Sequence, residues 1–372
     1  MTKHTYMGRI MAALMPLALL FSACNDTPDL TADYKDISIA YGILNINDPI
    51  HYFKVYKGFL TDENTIVQAS QWENIYYPID SIEVRFEEYN AQGIRQRSAV
   101  LDTTTAINKE SGYFANPRQL LYYSTWTLNP QCKYRLVIKN KRSGKEVYAE
   151  TNVVDNCKFT RPLSQNPFSS DSPTDVAPTF LVEGGGGLST RDRNVAISDF
   201  YITFHYIEVN NNTQQVEHKT IKKKMNSGFM MPQSNGNITF DKFKPSDLLS
   251  MIAQGMSPDN SLTRYVDTVD GRPYFCLEVD AWLANSEFNN YYNISNPHGD
   301  IVQQRMEYTN FVSEGGDAYG LLASRNKCRI ILKFDNTTGH NEDSLVRGHF
   351  TKNLNFDYYR NSPEFFEVVN YK

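Results

Sequence analysis

The chain has 372 residues, with 37 Lys and Arg against 42 Asp and Glu, and 13% of its side chains are aromatic. A net charge of −5 argues against nucleic acid or an acidic surface as the main partner. The length exceeds one ordinary sandwich, so two domains are expected.

Residues 1–23 have the three-part layout of a secretory leader. Lys3, His4 and Arg9 form a basic head, an apolar run extends from Ile10 to Phe21 with one break at Pro16, and small Ser22 and Ala23 follow. The run is too short for a bilayer span, which takes about 20 apolar residues. It stops at a cysteine, and Phe21-Ser22-Ala23-Cys24 resembles a bacterial lipobox, with phenylalanine where leucine is commoner. The resemblance implies that Cys24 becomes the lipidated first residue of the mature chain. Each buried methylene contributes about 0.8 kcal/mol, so two or three acyl chains anchor stably where one does not. Residues 24–36 are polar, contain proline and read as a tether. Asp26 and Asp29 are a thin version of the acidic signal that directs some lipoproteins to the cell surface. Loss of the leader's two basic residues brings the net charge to about −7.

From residue 37 the hydrophobic period is two. ISIAYGILNI (37–46) and HYFKVYKGFL (51–60) are β-rich runs separated by a turn. In DSIEVRFEEYNAQG (80–93), Ile82, Val84 and Phe86 alternate with charged residues, which puts Glu87 and Glu88 on opposite faces and unable to act as a carboxylate pair. CKYRLVIKN and EVYAETNVV flank KRSGK as a hairpin. Residues 37–155 therefore read as an antiparallel sandwich of six or seven strands. The spacing Leu128-x-Pro130-x-x-x-Tyr134 resembles the tyrosine corner of immunoglobulin and fibronectin type III domains, which implies that the Tyr134 hydroxyl satisfies nearby backbone.

Residues 156–180, rich in Pro, Ser, Asp and Asn, read as a linker, and residues 181–372 as a second β-rich domain with short helices. There ISDFYITFHYIEV and QQVEHKTIKKK form a long hairpin across NNNT, which makes Lys222-Lys223-Lys224 a solvated strand end. PSDLLSMIAQG (245–255) and NSEFNNYYNI (285–294) are the expected helices. YFCLEVDAWL, CRIILKFD (328–335) and DSLVRGHF (343–350) are expected strands, and the tail from Phe356 is read as a final strand or helix.

Taken together, the lipobox, YGILNINDPIHYFKVYKGFL, IDSIEVRFEEYN, LNPQCKYRLVIKNKRSGKEVYAET, LEVDAWLANSEFNNYY and YTNFVSEGGDAYGLLASR (308–325) resemble a large group of Bacteroidota envelope lipoproteins classed as a domain of unknown function. The resemblance implies an outer-membrane, lipid-anchored protein with an immunoglobulin-like N-terminal domain, placed near outer-membrane receptors. It implies no activity and carries over no catalytic residue.

Cys132, Cys157, Cys276 and Cys328 remain in the mature chain after Cys24. An even number in an exported protein permits two disulfides in three connectivities; pairing within each half is the simplest, and buried thiols are the alternative. No C-x-x-C spacing supports a redox or zinc motif. The run Gly184–Gly187 is followed by Leu188 rather than by the Lys and Ser/Thr of a phosphate-binding loop, so it reads as a loop between strands. His205 and His218 face each other loosely across a hairpin, while His340, Asp343 and His349 could converge around a turn. Asp80-Ser81-Ile82 and Asp267-Thr268-Val269 are among four tripeptides that resemble O-glycosylation sites of exported Bacteroidota proteins. No G-x-S-x-G, metal-ligand or EF-hand spacing occurs, so no catalytic residue, metal or cofactor is expected. The expected role is non-enzymatic binding beside an outer-membrane transport complex or a glycan. The alternatives are a fimbrial or adhesin subunit and, third, a glycan-active enzyme.

Overall fold

Two large sheets carry the architecture seen in the computed structural model, which describes residues 36–59, 61, 64–161, 179–182, 195–225, 238–239, 245–295, 308–313, 318–334 and 341–365. The leader, Cys24, the tether and the Gly184–Gly187 run lie outside the described residues. In chain order the strands begin with β1 (Ser38–Leu44), β2 (His51–Lys57), β3 (Ile82–Tyr89), β4 (Arg95–Val100), β5 (Asp102–Thr104) and β6 (Leu121–Ser124). They continue as β7 (Lys133–Asn140), β8 (Glu146–Asn152), β9 (Cys157–Arg161), β10 (Thr179–Val182), β11 (Ala196–Asn210) and β12 (Val216–Lys224). The last are β13 (Ile238–Thr239), β14 (Leu262–Val266), β15 (Phe275–Ala284), β16 (Phe311–Val312) and β17 (Ala318–Lys333). The short α-helices are α1 (Thr65–Ala69), α2 (Trp72–Ile75), α3 (Pro245–Gln254), α4 (Ser286–Ser295) and α5 (Asn341–Arg347). The protein is thus mostly β, as the period of two indicates. No helix among the described residues is long and apolar enough to cross a membrane.

The larger sheet runs β12-β11-β15-β17-β1-β2-β6-β5, with β14 paired to β11; the second runs β16-β8-β7-β3-β4. A third, short sheet joins β13, β10 and β9, so both ends of the 156–180 stretch are strands. In the N-terminal half the two large sheets face each other across one core. Phe53 from β2, Phe86 from β3 and Tyr134 from β7 are fully buried there, each contributing about 1.5–3 kcal/mol of hydrophobic stabilisation. The Phe86 ring lies 5.1 Å from Phe53 and 5.4 Å from Tyr134. The Tyr134 hydroxyl accepts from the Asn129 amide at 2.6 Å and donates to the Glu88 carboxylate at 2.6 Å. The ring thus packs on the core while its hydroxyl satisfies a backbone N–H five residues upstream.

β17 joins the halves. Residues 318–324 pair in parallel with β1, and residues 325–333 pair antiparallel with β15. A C-terminal strand therefore completes the N-terminal sheet, and β16 extends the opposite sheet beside β8. The approach of β17 to β1 needs glycine at position 320: φ is +120°, and a Cβ there would sit 1.8 Å from the Ala40 carbonyl oxygen. A buried polar junction holds the crossing. Ser324 Oγ donates to the Leu44 carbonyl at 2.9 Å and accepts from the Val154 amide at 2.9 Å, while Asn326 Nδ2 donates to the Asp155 carbonyl at 2.9 Å.

The second core lies on one face of β11, β15 and β17 and is covered by α3, α5 and the chain from Leu354 to Tyr359. Both hairpins, β7–β8 and β11–β12, follow the expected turns, and α3 and α4 fall where the helix signals lie. Residues 343–350 correct the expected strand: they lie mostly in α5. Glu342 and Asp343 sit in its first turn and Arg347 in its last, complementing the helix dipole. Leu345 is buried against the second core with Val346 beside it, which a strand's alternation would not permit. CRIILKFD is the end of a strand that begins ten residues earlier, at Ala318. In the described part of the tail, Phe356 makes an isolated bridge to Arg264, Tyr359–Asn361 form a 3-10 turn, and Phe365 is helical; residues 366–372 lie outside the described residues.

The four cysteines are thiols. Cys328 is level with Ala281 on β15, five residues from Cys276, or about 17 Å along a strand. A disulfide needs Cα atoms within about 7 Å. Cys132 belongs to the first core, whereas Cys157 packs against the second. Pairing within each half is therefore replaced by thiols in apolar surroundings, with Cys276 held well above its ordinary pKa by burial.

Candidate binding cleft

The two outer faces of the N-terminal sandwich differ in chemistry. Outside β3, β7 and β8 the surface is charged: Arg85 pairs with Glu83 at 2.8 Å and with Glu146 at 3.0 Å, and Lys133 pairs with Glu150 at 3.2 Å. Such alternation, apolar inside and polar outside, is what a half-solvated antiparallel sheet requires. Glu87 and Glu88 lie on opposite faces of β3: Glu87, outside, meets Arg95 and Tyr89, whereas Glu88, on the inner face with Phe86, breaks the alternation and is paired with Arg97 and Tyr134.

On the outer face of β1 and β2 that alternation fails. Ala40 and Leu44 point into the core, yet Ile39, Tyr41 and Ile43 on the other side are equally apolar. Across the ladder, Ile39 is level with Tyr56 and Tyr41 with Lys54; on β6, Leu121 is level with Lys54. This face is the floor of a cleft of about 1110 Å³. Thr65, Ile66 and Ala69 of α1 form one wall, and Ile107, Lys109, Tyr113 and Phe114 of the loop after β5 form another. Asn64 caps α1, its side chain accepting from the Ile66 amide at 3.0 Å. The walls are tied together by the Ala115 amide, which donates to the Ala69 carbonyl at 3.1 Å.

Many apolar side chains remain open to solvent here: Ile43 is 48% exposed, Ile66 56% and Phe114 52%. A contiguous apolar surface of this kind marks a binding site more often than chance decoration. The signal was present in the sequence, because SIAYGIL is apolar on both faces of its strand. The cations of the cleft are Lys54, Lys57 and Lys109, and among the described residues no carboxylate lies within ion-pair distance of their ammonium groups. Burial, then the charge of Lys54, holds Lys109 below the usual lysine range.

The second half gathers titratable groups at a different place. His218 Nδ1 lies 3.0 Å from Asp267 and its Nε2 3.2 Å from Glu364. The Asp267 amide donates to the His205 carbonyl at 3.1 Å, so Asp267 links the two histidines that the hairpin brings near each other. One donor atom from each of His218, Asp267 and Glu364 lies within 4.8 Å of the others. Both imidazole nitrogens face carboxylates, which is how an imidazolium is held between two anions. The Asp267 hydrogen bond raises the His218 pKa, with Glu364 adding to it. Stability from a raised histidine is present below pH 6.5 and lost as pH rises through the higher folded value. Thermal unfolding of the wild type and of His218→Ala should therefore differ more at pH 6 than at pH 8.5. The difference should be below about 1 kcal/mol, because His218 is largely exposed.

The remaining candidates disperse. His340 lies outside the described residues, Asp343 accepts from the Tyr358 hydroxyl at 2.6 Å, and the His349 ring packs on Phe350. Lys222 lies over the Tyr201 ring at 4.5 Å, and Lys224 pairs with Asp199, both on β12. Ser81 is buried with its hydroxyl donating to the Pro78 carbonyl at 2.7 Å, and Asp267 is buried as well. Comparison with known protein families, curated proteins and solved structures finds no match to this chain.

Proposed function

We propose that this chain is a non-enzymatic binding protein of a bacterial outer membrane, anchored by lipid on Cys24, with an N-terminal domain of the immunoglobulin or fibronectin type III kind. The cleft over β1 and β2 takes its ligand, for delivery to or capture beside a transport complex. The observation that carries this reading is an apolar, walled cleft on a sheet face that sandwich packing alone would leave polar. Asp48, His51, Thr65 and several tyrosines and lysines also line the cleft, but its surface is mainly apolar, and so favours an apolar ligand over a glycan, whose hydroxyls each need a partner.

The test uses the full-length chain bearing Cys24→Ser, which takes no lipid, titrated with the neutral fluorophore N-phenyl-1-naphthylamine. Saturable binding near one equivalent is expected, lost in Tyr41→Glu with an unchanged unfolding midpoint. An absence of saturable binding would overturn the reading of the cleft. Mass spectrometry of the wild-type mature N-terminus tests the anchor; an unmodified Cys24 would overturn that part.

A further inference from the structure

We propose that the cleft binds a free long-chain carboxylate, its chain lying on Ile39, Tyr41 and Ile43 and its head group held by Lys54 and Lys109. The proposal rests on the cleft being the ligand site. Lys54 rises from the floor, on β2, between Tyr41 of β1 and Leu121 of β6. Lys109 reaches in from the wall, its ammonium 5.0 Å from the centre of the Phe114 ring. The backbone holds it there, since the Lys109 amide donates to the Pro117 carbonyl at 2.6 Å.

Two cations sharing one largely apolar cleft repel each other, and partial burial costs Lys109 some of its hydration. An anion between them reverses both penalties, because charge-assisted hydrogen bonds strengthen where water is scarce. That gain is open only to a ligand with a negative head; a cationic ligand would add to the repulsion, and a neutral one would leave it in place. Burial and the neighbouring Lys54 charge already depress the Lys109 pKa, and a bound carboxylate would raise it again. The body of the ligand is set by the lining. Isoleucine and tyrosine side chains cover the floor, and the volume of about 1110 Å³ exceeds the roughly 300–1,000 Å³ of ordinary small-molecule pockets, leaving room for a long chain. A bilayer is a poorer fit, since the apolar groups line a concavity walled by α1 and the loop rather than a protruding face.

The full-length Cys24→Ser chain is titrated with cis-parinaric acid and, separately, with its methyl ester. The acid should bind at least about tenfold more tightly than the ester. In the Lys54→Met/Lys109→Met double variant that difference should vanish while ester affinity is retained. Equal affinity for acid and ester in the wild type would overturn the head-group assignment and leave the cleft as an apolar site. Failure of both, together with failure of the neutral fluorophore, would overturn the cleft itself. Lysine-dependent sedimentation with phosphatidylglycerol vesicles, without binding of monomeric acid, would make the surface a membrane contact and overturn the proposal. A dimer abolished by Tyr41→Glu would do so in favour of a second copy of the chain.

Discussion

Gly320→Ala is expected to destabilise the protein by at least about 3 kcal/mol. Two independent costs combine at this position. The backbone has φ of +120°, which side chains with a Cβ rarely adopt, and the added carbon would lie 1.8 Å from the Ala40 carbonyl oxygen and 2.7 Å from its carbon. Both neighbours are backbone, so no side chain can turn away. Relief requires β1 and β17 to separate, and β1 lies between β17 and β2 in the larger sheet. Urea unfolding checks this: the midpoint should fall sharply, with loss of the sheet that joins the two halves. Gly42→Ala is the graded comparison, since its Cβ would meet side-chain atoms alone, the Phe53 ring at 2.6 Å and Leu322 Cδ1 at 3.1 Å, and side chains can shift. It should cost about 1–3 kcal/mol. A Gly320→Ala protein within 1 kcal/mol of wild type would mean that the strands are not so closely apposed.

Asn285→Leu should cost about 3–5 kcal/mol. Asn285 is 1% exposed and sits where β15 ends and α4 begins. Its Nδ2 donates to Thr151 Oγ1 at 2.7 Å and to the Asn152 carbonyl at 3.0 Å, reaching the end of β8 from more than 130 positions away. Its Oδ1 accepts from the Ser324 amide at 3.2 Å and from the Phe288 amide at 3.4 Å, so it also caps α4. Leucine has a similar volume and none of these groups. It would leave the Ser324 N–H and the Thr151 hydroxyl oxygen buried without those partners, at about 1–3 kcal/mol each, besides the lost cap at about 1 kcal/mol. Chemical denaturation of the single variants and of Asn285→Leu with Thr151→Val should show non-additive losses, because the two side chains share one hydrogen bond. Additive losses, or a loss under 1 kcal/mol, would remove this junction from the account of how the halves are held.

The parts of the fold legible in the sequence are those governed by near neighbours. The β7–β8 and β11–β12 hairpins follow from alternating runs around Gly- and Asn-rich turns, and α3 from the spacing of Leu248, Leu249 and Ile252 before Gly255. The backbone contact of the Tyr134 hydroxyl was legible for the same reason, the Asn129 amide that it meets lying five positions upstream. Misreadings arose where one short segment fits two periods. In Asn341–Arg347, Leu345 and Val346 are compatible with either until the second core asks for a helix's face. The cysteines carry no pairing information in their spacing, and only strand register separates Cys276 from Cys328.

The sequence alone determined the β-rich class, the main hairpins and the two longer helices, because period and turn chemistry act over a few residues. It also presented the lipobox-like run ending at Cys24, whose consequence for anchoring remains a proposal. Tertiary structure alone decided that β17 completes the N-terminal sheet, that Ser324 bonds to Leu44 across 280 positions, and that Lys54 and Lys109 share one apolar cleft. Strand partners are chosen by long-range fit rather than by local propensity. For the same reason, the doubly apolar face of β1 became a candidate site only when the opposite sheet covered one side and left the other open.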